Sequence, residues 1–136
     1  MPVGGGEAVP LHIHGGQAVE SPDGKFLYYD KGGPDNYAIW RVSTSGGKET
    51  LVADSIHFTG GHVIVDQGMY FISKPDERDV SSIRFKDFAS GSIRTIVPLK
   101  GGVLWGLAVS PDQQTLLYTQ AGGSGDWHLM LVENFR

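Results

Sequence analysis

The chain has 136 residues, 40% of them hydrophobic and 19% charged, with a formal net charge of −4 and no cysteine. That length and composition fit one ordinary folded domain, 1–136. They exclude disulfides, thiolate metal sites and a cysteine nucleophile, and a negative chain without a local Lys/Arg cluster argues against a nucleic-acid partner. No window approaches the ~18 apolar residues of a membrane-spanning helix, and residues 1–16 lack the basic start and apolar run of a signal peptide. The chain as it stands is therefore expected to be cytoplasmic, with no membrane partner.

The first predicted strand covers 7–12 and is followed by Gly15-Gly16. A strand over 18–20 then meets the turn Ser21-Pro22-Asp23-Gly24. Pro22 presets φ for a type I turn, and Gly24 can take positive φ at its end. The next strand, 26–30, is apolar at Phe26, Leu27, Tyr28 and Tyr29 in succession, so both its faces should be covered. A strand over 38–43 leads through Gly46-Gly47, suited to a hairpin, into a more polar strand over 49–53, suited to an outer edge. The order then restarts with 62–66, 69–73, 83–88 and 93–98, Ile83 and Phe85 alternating with Arg84 and Lys86. A third round runs through 104–110, 115–120 and 128–135. No amphipathic helix of useful length is found.

This is a repeat. Ser-Pro-Asp occurs at 21–23 and at 110–112, and a degenerate middle copy, Asp66-Gln67-Gly68 before Met69-Tyr70-Phe71-Ile72, lies halfway between them. Gly15-Gly16 recurs as Gly60-Gly61, and Ile39-Trp40-Arg41-Val42 recurs as Ile83-Arg84-Phe85-Lys86 and Leu129-Met130-Leu131-Val132. A four-stranded unit of about 45 residues is a propeller blade. The Ser-Pro-Asp-Gly-Lys-x-Leu-x-Tyr run, the Ile-Trp pair and the Gly-Gly pair resemble the TolB-like family of propeller repeats, in which that turn joins the first two strands of a blade. The resemblance covers nearly the whole chain and is weakest in the second unit, where Pro is missing. The closing stretch from Gly106 also resembles the carboxyl end of bacterial winged-helix regulators that carry such a propeller as a sensor region. No winged-helix segment is present, so DNA binding does not follow.

The expected fold is an all-β propeller of three four-stranded blades, at 18–53, at 62–98 and at 104–135 completed by strand 7–12. Three blades are too few for a ring, and the two bare faces would expose large apolar patches. Two copies joined head to tail close six blades around a two-fold axis, with 7–12 of one copy pairing with 128–135 of the other. A homodimeric scaffold is thus expected, unless the chain is an excerpt of a longer propeller.

Catalytic motifs are absent. Gly122-Gly123-Ser124-Gly125-Asp126 lacks the last glycine of a nucleophile elbow, and Gly46-Gly47-Lys48-Glu49 lacks the first glycine and the hydroxyl of a phosphate loop, so both read as turns. His12 and His14 share a strand face but have no third metal ligand. Asp35, Asp76, Asp79 and Asp126 fall in loops between second and third strands without calcium-loop spacing. The repeat aligns Gln17, His62 and Leu107 at the start of the innermost strand, by the central channel. His14, Gln17, His57, His62 and Trp105 are therefore the candidate binding residues at the channel mouth, with protein or peptide as partner and no cofactor. Trp40 is expected to pack between blades. A small-molecule or metal sensor, and an accessory domain of a hydrolase or lactonase-like metal enzyme, are the alternatives.

Overall fold

The computed structural model describes residues 15–33, 36–57 and 61–135. The strand expected over 7–12, together with His12 and His14, lies outside them. The first sheet comprises β1 (Ala18–Glu20), β2 (Phe26–Lys31), β3 (Ala38–Ser43) and β4 (Thr50–Ala53). The second comprises β5 (His62–Val65), β6 (Gly68–Ile72), β7 (Ser82–Asp87) and β8 (Ile93–Pro98), and the third β9 (Val103–Val109), β10 (Thr115–Ala121) and β11 (Trp127–Glu133). Each sheet is an antiparallel meander in chain order. Among the described residues no helix is long and apolar enough to cross a membrane.

The turn between the first two strands is built by its own side chains. Ser21 Oγ donates to Asp23 Oδ1 at 2.6 Å and accepts the Phe26 N–H at 3.0 Å, while Asp23 Oδ1 accepts the Lys25 N–H at 3.0 Å. The Ser21 hydroxyl first, then the Lys25 N–H, hold the Asp23 carboxyl below its usual range. Ser110, Asp112 and Thr115 repeat the pattern, with Ser110 Oγ to Asp112 Oδ1 at 2.6 Å and Thr115 N–H to Ser110 Oγ at 3.0 Å. Replacing Ser21 with alanine removes a hydrogen bond from the Phe26 amide and is expected to cost about 1 kcal/mol, read as a lower midpoint in urea unfolding with unchanged slope.

The middle turn is shorter. Val65 pairs directly with Gly68, so Asp66-Gln67 is a two-residue connection. The repeat is therefore not uniform, and the register shifts one equivalence. Ala18 faces Tyr29, His62 faces Phe71 and Leu107 faces Tyr118, so Ala18, not Gln17, matches His62 and Leu107. A slip of one residue turns a strand side chain to the opposite face.

The sheets stack through their faces. Tyr28, Ile39, Val52 and Ala53 of the first close on Ile64, Met69 and Phe71 of the second. The other face of the second sheet, with Tyr70, Ile72, Ile83 and Phe85, closes on Leu107, Leu116 and Tyr118 of the third. Each seam carries an aromatic contact. Tyr28 stacks on Phe88 with ring centroids 5.5 Å apart, and Tyr70 meets Phe135 edge-on at 5.7 Å, both favourable geometries.

Candidate functional site

The first strands of the three sheets converge, β5 lying against both β1 and β9. This places β1, β5 and β9 innermost, the channel side of the stack. The residues predicted for this mouth separate there. Gln17 is exposed just before β1, and His57 is half-buried, its amide donating to the Ile72 carbonyl at 3.0 Å. Trp105 lies within β9, and its side chain is outside the described set. His62, the first residue of β5, is 4% exposed, and neither ring nitrogen has a hydrogen-bond partner. Burial pushes its pKa below the ordinary imidazole value, while the Asp30 carboxylate pulls the other way.

Sequence reasoning missed two neighbours of His62. Asp30 is 1% exposed in the seam against the second sheet, although in sequence it only ends an apolar run. Arg84 stands in the same row as His62, since His62 pairs with Phe71 and Phe71 with Arg84, and its Nε is buried without a partner. Arg84 alternates with Ile83 and Phe85, and the face it stands on meets the first sheet. Among the described residues no three His, Asp or Glu side chains come together as a metal site. The loop carboxylates close their own loops: Asp76 Oδ1 accepts the Arg78 and Val80 amides at 2.8 and 3.1 Å, and Asp126 Oδ2 accepts the Ser124 hydroxyl at 2.6 Å. Asp35 lies outside the described residues.

Among the described residues, one face at each end of the stack has no other sheet against it. On the third sheet, Met130 and Val132 pack inward while Trp127, Leu129 and Leu131 point out at 52%, 72% and 56% exposure. On the first sheet the face turned away from the second carries Ala18, Tyr29, Trp40 and Leu51 in one row, with Tyr29 1% and Leu51 48% exposed. Trp40 thus packs between no two of the described sheets. It is half-buried, with the Lys31 ammonium 4.9 Å from its ring centroid, and Lys31 pairs with Glu49 at 2.6 Å. Burial and the nearby Glu49 carboxylate push the Tyr29 phenol up to about 12, although the two groups complete no hydrogen bond of good geometry. A spectrophotometric titration should find one tyrosine ionising near that value, and Glu49→Gln should lower it.

No family model and no curated protein matches the chain. Solved structures do. The chain is similar to TolB from Acinetobacter baumannii, with a TM-score of 0.65 and 17% identity, covering 86% of this chain and 29% of that one. It is similar to the β-propeller domain of the Trilobed protease from Pyrococcus furiosus, with a TM-score of 0.62 and 14% identity, covering 89% and 40%. A third similar structure, a putative TolB from Agrobacterium tumefaciens, gives a TM-score of 0.59 and 20% identity, covering 84% and 40%. The fold is a TolB-like β-propeller. The chain spans less than half of each of these propeller structures, and its three sheets are successive blades.

Proposed function

We propose that the protein is a non-enzymatic, self-assembling propeller scaffold, a homodimer whose two copies close a six-bladed ring and present the channel mouth to a protein or peptide. The observation that carries this reading is the pair of end faces against which no other described sheet packs. In both internal seams the same face of one blade meets the opposite face of the next. The outer face of the third blade and that of the first are the two that no described sheet of the chain meets in that series. Trp127, Leu129 and Leu131 on one and Trp40 and Leu51 on the other supply apolar surface of the kind buried in stable contacts. A head-to-tail contact made twice closes the ring. Strand β11 also lacks an outer neighbour among the described residues, and 7–12 of the second copy is the strand proposed to fill that place. Sedimentation equilibrium tests the assembly: the expected mass is twice 14.7 kDa, and a stable species of single mass overturns it.

A second reading is that the blades form a sensor region of a regulator, favoured by the buried, unpartnered His62 beside the channel. A third is an accessory domain of a hydrolase, favoured by the similarity to the propeller of a protease. A thermal-shift screen with metabolites and divalent metals separates these from the first: a specific ligand that raises the melting temperature supports sensing.

A further inference from the structure

We propose that the seam between the first and second blades is a proton-sensitive joint, in which His62 takes up the proton and the seam loosens as it does. His62 stands on the face of the second blade that closes on the first, beside Phe71 in the row that continues to Arg84. Across the seam is the buried carboxylate of Asp30, whose backbone carbonyl accepts the Gly16 N–H at 2.8 Å. A Cβ on Gly16 would lie 2.1 Å from Asp30 Oδ1, so the chain covers this carboxylate as closely as glycine permits.

Among the described residues, the groups that face His62 run element by element as follows. From β2 there is Asp30, from β7 Arg84, and from the segment before β5 His57, whose amide bonds the same end of β6. Strand β1 contributes only Glu20, which is exposed, and β9 carries no titratable side chain. The decision between neutral and charged imidazole therefore rests on burial against attraction by Asp30. Among the described residues His62 makes neither a hydrogen bond nor an ion pair, with Asp30 or any other group. A charge brought into that position loses its hydration without a direct partner in return, and desolvation is the larger effect.

The sign follows from proton counting. The folded-state pKa of His62 lies below its unfolded value, so between the two values the unfolded chain binds more protons. Stability then falls as pH drops from about 6.5 through the folded-state value. Because both residues belong to one chain, this joint works whether or not the ring closes, so its failure and the failure of the dimer are read separately.

The test is a pH series on the intact chain from 7.5 to 5. The His62 ring, followed by nuclear magnetic resonance, is expected to titrate below about 6.5. Over the same range the wild-type melting temperature should fall more than that of His62→Gln, by roughly 3 °C or more. Asp30→Asn, which removes the opposing carboxylate, should enlarge the fall. Amide exchange corrected for pH should quicken at Tyr28 to Asp30 and His62 to Ile64 before it does in the seam between the second and third blades. A His62 ring that titrates at or above the ordinary value overturns the proposal, as does equal acid sensitivity in wild type and His62→Gln. Should His62→Gln fail to fold, the ring titration and the exchange pattern of the wild type decide alone.

Discussion

Leu131→Lys is expected to halve the mass of the protein in solution, from about twice 14.7 kDa to a single chain. Leu131 and Leu129 stand on the outer face of β11 at 56% and 72% exposure, next to Trp127 at 52%. In the proposed ring these side chains would lie in the contact with the second copy, where an ammonium would lose its water and gain no partner. Truncating or charging a central apolar residue of such a contact costs about 2 kcal/mol or more, equivalent to a roughly 30-fold weaker dissociation constant. Since a ring of two chains makes this contact twice, both copies of the damage act on one equilibrium.

The control is Ile93→Lys. Ile93 is 48% exposed, as much as Leu51, but it belongs to the middle blade, whose two faces are already covered within the chain. It should leave the mass unchanged. Leu51→Lys, on the face of the first blade proposed to receive the third of the other copy, should repeat the Leu131→Lys result, because a head-to-tail contact is broken from either side. If both variants and the wild type share one mass, the free faces are not the dimer contact.

Much of this architecture was legible because turns and strands carry strong local chemistry. Ser21-Pro22-Asp23-Gly24 fixes where one strand ends and the next begins, and the strands lie within a residue or two of the expected spans. Register was less legible. Two turns of different length separate equivalent strands, so a constant step placed Gln17 where the structure has Ala18. The candidate site was half legible. His62 stood out as a polar residue opening an innermost strand, whereas Asp30 read only as the end of a strand and Arg84 only as the polar partner in an alternating one. Both stand on the face that meets the neighbouring blade, with Gly16 also closing over Asp30, and no local pattern encodes which face of a sheet another sheet will cover. Trp40 shows the same limit from the other side. It was expected in a seam between blades, but among the described residues it lies on the face of the first sheet turned away from the second.

The middle turn also hides a tight contact that only the fold explains. Gly68 opens β6, paired with Val65 on one side and Asp87 on the other. In sequence it reads as a turn glycine. In the structure it admits close packing: a Cβ there would lie 2.0 Å from the Lys86 carbonyl oxygen and 2.7 Å from Phe85 Cζ. The carbonyl is backbone of the paired strand and cannot move aside without opening the β6–β7 ladder. Nor is Phe85 free to yield, since it packs against Tyr70 with ring centroids 4.7 Å apart and takes the Arg94 guanidinium 5.3 Å from its ring centroid. Gly68→Ala is therefore expected to destabilise the chain by about 3 kcal/mol, from strain against fixed neighbours. That corresponds to a melting temperature lower by roughly 10 °C. Gly123→Ala is the matched comparison, because nothing lies within 4 Å of the added carbon there, and its effect should stay within about 0.5 kcal/mol. Equal melting of the two variants would mean that the β6–β7 pair gives way easily, and the middle blade would then be a poor support for the two seams that pack on it.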